Sequence, residues 1–249
     1  MGTPLRTIPY LTGSLIKPQT IITSGEVLFT TGDGDNIRPN QQQCDSIAGG
    51  TNNTYVMGDS NTINGASRNN IVIGSNNEIV NGVNRAFVFG HLGEATTTNS
   101  FVIGGNAAED NVGERQSIQL MYGTQTTDGT TVDSYLNNTS GTYLEVPDNT
   151  AMYFHADVLA VRVGGTSAGG APGDYKSWVE RGVVINKSGT LSIQRERDTI
   201  KGSGTTTGWQ PTGAVSGTNF TIQVKATNNM TVEWALNITF TQIKTGVAL

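Results

Sequence analysis

The chain has 249 residues and a formal net charge of −5, with 35% hydrophobic and only 14% charged residues. Such an acidic chain, with no basic stripe, gives no electrostatic reason to bind nucleic acid or an anionic membrane, and its low charge is unlike that of ordinary disordered chains. Its 32 glycines, together with abundant Asn, Thr and Ser, predict an all-β chain of many short strands joined by tight turns.

The first residues, Met1-Gly2-Thr3-Pro4-Leu5-Arg6, lack the basic and apolar regions of a signal peptide. Arg6 also stands where a myristoylation pattern needs Ser or Thr. No window approaches the ~18 apolar residues of a membrane span, so no membrane insertion is expected, and delivery outside a cell would need another route. Residues 1–45 carry no repeat and are expected to form an attachment or cap segment. Within them, Ile21-Ile22 and Val27-Leu28-Phe29 around Ser24-Gly25 predict a short strand pair. Asp33-Gly34-Asp35-Asn36 starts like a calcium loop, but Arg38 and Cys44 occupy the places that need Gly and Glu. A turn is the plainer reading. Cys44 is the single cysteine. That excludes an intrachain disulfide framework and a thiolate zinc site within one chain.

Residues 46–112 read as a repeat shaft. An apolar triplet followed by glycine recurs as Tyr55-Val56-Met57-Gly58, Ile71-Val72-Ile73-Gly74, Phe87-Val88-Phe89-Gly90 and Phe101-Val102-Ile103-Gly104, with a weaker copy at Ser46-Ile47-Ala48-Gly49. From Gly58 onward the glycines lie 16, 16 and 14 residues apart, which predicts a parallel β-roll or β-helix of short coils. Successive side chains of a strand point to opposite faces, so each triplet is apolar on both. Single residues such as Ile63 and Ile79 can cover one face from the same chain. A coil this small has nothing for the other, which points to neighbouring copies of the chain and, by inference, to an intertwined homotrimer. Val56, Met57, Val72, Ile73, Val88, Phe89, Val102 and Ile103 are the expected trimer core. Glycine ends each strand at a corner that permits positive φ, and the Asn-rich corners suit left-handed backbone and local side-chain bonds.

The run Val72-Ile73-Gly74-Ser75-Asn76-Asn77, repeated at a period near 15 over residues 46–105, resembles the head of trimeric bacterial autotransporter adhesins. The resemblance implies a left-handed parallel β-roll packed through its triplets. Those adhesins also carry a signal peptide, a coiled-coil stalk and a membrane anchor, none of which is legible here.

Residues 113–249 switch to period-2 strands and are expected to form an antiparallel β-sandwich. Phe220, Ile222, Val224 and Ala226 alternate with polar residues, as do Val232, Trp234, Leu236, Ile238 and Phe240 beyond Asn228-Asn229. They predict a half-buried hairpin. Val183-Val184-Ile185 and Leu191/Ile193 around Ser188-Gly189 predict another, and Met152 to Val163 a long strand. Gly123-Thr124-Gln125-Thr126-Thr127-Asp128-Gly129, Leu144-Glu145-Val146-Pro147, Leu159-Ala160-Val161-Arg162, the stretch from Tyr175 to Gly182 around Trp178, Trp209, and Val232-Glu233-Trp234-Ala235 follow in the order found in C-terminal domains of bacteriophage tail fibres, which the chain resembles over 115–243. Residues 194–207 depart from that pattern. The resemblance implies a virion protein released by lysis. Residues 1–45 would then dock on other virion structural proteins, and the C-terminal domain would form the tip.

No catalytic, metal or cofactor site is legible. Glu180, Glu196 and Asp198 are the acidic residues near aromatics that could serve a glycosidase. Arg181, Arg195 and Arg197 beside them suggest solvated charge pairs. His91 and His155 have no metal-ligand partner within one chain, though a three-fold axis could gather three copies of either. Trp178 and Trp234 are expected in the core. Trp209, between Gly208 and Pro211, and Tyr175, beside Gly173-Asp174, are candidate receptor contacts on exposed loops. The expectation is therefore a non-enzymatic, trimeric phage fibre or spike whose partners are its own copies, the virion, and a host-surface glycan or protein. The alternatives are a head or collar fibre with a structural role, a host-cell adhesin, and a polysaccharide-cleaving spike.

Overall fold

The computed structural model describes residues 53–105 and 111–247, with 46–48, 51, 249 and two short strands nearer the N-terminus. The described part is all-β and contains no helix. The N-terminal strands β1 (Ile22–Thr23) and β2 (Glu26–Val27) pair antiparallel, as the sequence predicts. Asp33 to Asn36 and Cys44 lie outside the described residues.

A β-solenoid follows. Its long strands are the apolar triplets with their corners: β4 (Tyr55–Asp59), β6 (Ile71–Ser75), β8 (Phe87–His91) and β10 (Phe101–Gly104). Its short strands are β3 (Ser46–Ile47), β5 (Thr62–Ile63), β7 (Glu78–Ile79) and β9 (Glu94–Ala95). The long strands stack parallel and in register, Val56 beside Val72, Val72 beside Val88 and Val88 beside Val102, so the chain winds about three turns. The short strands form a second parallel sheet. Between the two sheets, the four triplet valines meet Ile63, Ile79 and Ala95, all at 1% exposure or less.

Two devices close the coils. At the corners Gly58, Gly74 and Gly90 take φ of +130°, +132° and +108°. A Cβ on Gly58 or Gly74 would stand 1.8 Å from the carbonyl oxygen of the glycine one coil on. Only glycine admits both that φ and that approach. Inside the coil, buried asparagines replace the expected local bonds with bonds between coils. Asn61 Nδ2 donates to Gly74 O at 3.0 Å and Asn77 Nδ2 to Gly90 O at 2.9 Å, while Asn77 Oδ1 accepts from Gly93 N at 2.8 Å. Each amide thus satisfies backbone groups that the narrow coil hides from water.

The C-terminal part adds β11 (Arg115–Thr126), β12 (Val132–Asp133), β13 (Tyr135–Leu136), β14 (Leu144–Glu145), β15 (Thr150–Gly164), β16 (Tyr175–Lys187), β17 (Thr190–Gly202), β18 (Gln210–Ser216), β19 (Asn219–Lys225) and β20 (Thr231–Lys244). Strand β11 pairs antiparallel with β10, so the long-strand sheet of the solenoid runs on without a break. Its order is β17-β16-β15-β20-β11-β10-β8-β6-β4, with β13 beside β11. A smaller sheet, β12-β19-β14 with β18 beside β19, lies against the inner face of the antiparallel part. Phe220 of the small sheet packs between Phe154 and Phe240 of the large one, with ring centroids 4.9 and 5.2 Å apart.

The hairpin expected at Ser188-Gly189 is present, joining β16 to β17 through two residues of positive φ, the backbone that a two-residue hairpin loop needs. The hairpin expected at Asn228-Asn229 is not. Strand β19 pairs with β18, β12 and β14, whereas β20 pairs with β11 and β15. The chain there crosses from one sheet to the other. Alternation shows that each strand has one buried face, and two strands facing each other across a core show it as well as two strands side by side.

Candidate functional site

Period-2 alternation sorts the large sheet into a covered face and, among the described residues, an uncovered one. In the solenoid the valine of each triplet points inward. Its flanking residues point out, in columns that follow the parallel register. One column is Met57, Ile73, Phe89 and Ile103, and the other is Tyr55, Ile71, Phe87 and Phe101. Met57 and Ile71 are each 38% exposed, Phe101 39%, Ile103 44% and Phe89 48%. Phe87 and Phe101 stack at 5.1 Å. The expected trimer core is corrected on one point. Val56, Val72, Val88 and Val102 fill the interior of the chain's own coil, because Ile63, Ile79 and Ala95 reach them there. Met57, Ile73, Phe89 and Ile103 are the members of that set that face outward.

The candidate contact Trp209 is also corrected. It is buried at 2%, 6.3 Å from Trp234, which stacks on Trp178 at 5.6 Å. Gly208, at φ +85°, turns the chain just before the strand that begins at Gln210. The indole then folds in over the end of the core. Tyr175 begins β16, is half-buried, and hydrogen-bonds through its backbone to Ser203. The expected core residues Trp178 and Trp234 are buried. His91 meets Ser75 at 2.9 Å and His155 meets Asp157 at 3.4 Å.

The three acidic candidates do not share a face. Glu180 is fully buried, where a solvated pair was expected. Its Oε1 accepts from Arg195 Nη1 at 3.1 Å and from Gly213 N at 2.9 Å, linking β16 to β18 across the two sheets. Arg181, one residue on, points the opposite way and pairs with Glu196 and, at 3.1 Å, with Asp198.

A cleft of about 400 Å³ opens where the last solenoid coil meets the β13–β14 connection. That coil is two residues shorter than the two before it, and the connection reaches into the space left over. Asn137 Nδ2 donates to Thr98 O at 3.2 Å. Arg85, Thr97, Asn137, Thr142 and Tyr143 line the cleft. Arg85 holds a left-handed corner at φ +53° and takes part in no ion pair among the described residues. Tyr143 lies 5.5 Å from Tyr135 and donates its hydroxyl to Asp133 Oδ2 at 2.8 Å. That bond to a carboxylate pushes the Tyr143 pKa up. Sequence reading passed over these residues, whose one signal is the Thr96-Thr97-Thr98 run at the shortened repeat. A second depression, lined by Thr207, Gln210, Lys225 and Asn228, lies beyond Trp209.

No protein-family model matches the chain, and no curated protein matches it. Among solved structures the chain is similar to the tailspike protein of Acinetobacter baumannii phage AM24, at TM-score 0.33 and 7% identity, covering 83% of this chain and 50% of that one. It is also similar to a tailspike of A. baumannii bacteriophage Fri1 described as a capsular polysaccharide depolymerase, at TM-score 0.27 and 10% identity, covering 82% and 39%. A third is the tailspike of Acinetobacter phage vB_ApiP_P1, at TM-score 0.27 and 13% identity, covering 82% and 53%. The chain thus spans about half or less of each tailspike's length. With a tailspike described as a depolymerase among these neighbours, the expectation of a non-enzymatic chain is withdrawn. Likenesses this loose place no catalytic residue and transfer no activity.

Proposed function

We propose that this chain is part of an external bacteriophage tail appendage, a spike in which three copies share the outward face of the solenoid and which engages a host-surface glycan. The observation that carries the reading is the pair of apolar columns on the uncovered face of the large sheet. Large exposed apolar patches mark interaction surfaces, and full burial of each such side chain is worth about 1.5–3 kcal/mol. In-register columns repeated coil after coil suit copies of one chain closing about an axis. The C-terminal region, read as a β-sandwich in the manner of tail-fibre tips, supplies the surface turned to the host, and residues 1–45 the attachment to the particle. The likeness to adhesin heads stays one of sequence pattern.

The test pairs location with binding. Gold-labelled antibody against the chain is expected on the tail of intact particles. Purified chain is expected to bind the particles' own host cells and to lose that binding once surface polysaccharide is stripped. Reducing ends measured in the same mixture report cleavage. Label absent from particles, or binding indifferent to stripping, overturns the reading.

A further inference from the structure

The cleft beside the shortened coil has the chemistry of a saccharide subsite, and we propose that it holds a carboxylate-bearing sugar unit, such as a hexuronic acid. The inference rests on the glycan reading above and names where and how one sugar of that glycan is taken. Its volume of about 400 Å³ falls within the range of small-molecule sites. The lining is mainly hydroxyl and amide groups, which match a pyranose's mixed donors and acceptors. An aromatic ring, Tyr143, is fixed at its wall by the bond to Asp133 and offers an apolar surface for the C–H face of a sugar.

Charge decides the class. The chain carries a net −5, yet the ten lining side chains include one cation, Arg85, and no acid. Asp133, which holds Tyr143 at the wall, accepts from the Tyr143 hydroxyl and from Gln223 Nε2 at 3.0 Å. Arg85 donates through Nε to Asn99 Oδ1, and among the described residues neither of its terminal nitrogens is hydrogen-bonded. A planar guanidinium held from behind, with its fork free, is suited to a carboxylate.

The position also supplies a clean variant. Arg85 sits in left-handed backbone at a corner where Asn53, Asn69 and Asn99 hold the same conformation. Arg85→Asn therefore removes the charge while easing the backbone. The full chain is titrated with sodium glucuronate and with methyl glucoside, followed by ligand-observed nuclear magnetic resonance. Glucuronate is expected to bind more tightly. Arg85→Asn is expected to weaken glucuronate about tenfold, the scale of a charge-assisted bond, to leave methyl glucoside unchanged, and not to lower the melting temperature. Tyr143→Ala is expected to weaken both sugars. Equal affinity for the two sugars, or glucuronate binding untouched by Arg85→Asn, overturns the proposal. Stripping-sensitive cell binding that both variants leave intact overturns the site and keeps the wider reading. Wild-type chain without such binding overturns both.

Discussion

Glycine at the coil corners is dictated by two independent constraints, and substitution separates them. Gly74 has φ +132° and its Cβ would overlap the Gly90 carbonyl, whereas Gly82 has φ +79° with nothing within 4 Å. Gly74→Ala is expected to cost about 3 kcal/mol or more and Gly82→Ala about 1 kcal/mol, read as the difference in unfolding midpoint. Tyr122 makes a second residue-scale case. Its buried hydroxyl accepts from Leu144 N at 3.0 Å, and burial raises its pKa. Tyr122→Phe removes that buried bond, an expected loss of about 0.5–1.5 kcal/mol by denaturant titration. The corner glycines were legible in the sequence because they recur. Tyr122 was not, because its partner lies 22 residues away on another sheet. Trp209 was misread for a related reason. Its Gly and Thr neighbours describe a bend in the chain but not the direction in which the bend turns its side chain.

At the scale of elements, the joint between solenoid and C-terminal sheet is polar and titratable. Glu94 of β9 lies 3.7 Å from Lys244 of β20, and the backbone N–H of Glu94 donates to the Gln116 side chain at 2.8 Å. Burial, outweighing Lys244, raises the Glu94 pKa above its ordinary 4.5. A carboxyl with a raised folded pKa stabilises the fold most below its unfolded value and loses that contribution as pH rises through the folded value. Acidification from neutral toward 4.5 is therefore expected to raise the protection of the Gly113 and Lys244 amides, their exchange measured against the unstructured rate at the same pH; these N–H groups bond to Leu92 O and Glu114 O. Glu94→Gln should flatten the dependence, and a joint that loosens on mild acidification in the wild type but not in the variant contradicts this account. The four long solenoid strands were legible because triplet, glycine and spacing agree, whereas the weaker copy at Ser46-Ile47-Ala48-Gly49 was misread: Ser46–Ile47 pairs with Thr62–Ile63 in the short-strand sheet. The β16–β17 hairpin was legible because Ser188-Gly189 fixes a turn. The partners of β19 and β20 were not, since alternation records burial and leaves pairing open.

Over the whole molecule, one continuous sheet joins a narrow solenoid to a broader two-sheet region, and its outer face is left apolar along the solenoid. The two-faced triplets made half of this visible in advance: one side of each is covered within the chain and the other faces outward. Which residues belong to which side required the register. The shared outward face is the central claim, and it is tested most directly by the mass of the chain in solution. Sedimentation equilibrium is expected to give three times the chain mass for the wild type. For Phe89→Glu, which puts a charge in the middle of one column while leaving the coil interior intact, the single-chain mass is expected, with unchanged β-sheet circular dichroism. A wild-type chain that sediments as a monomer at micromolar concentration, or a Phe89→Glu variant that keeps the threefold mass, contradicts it.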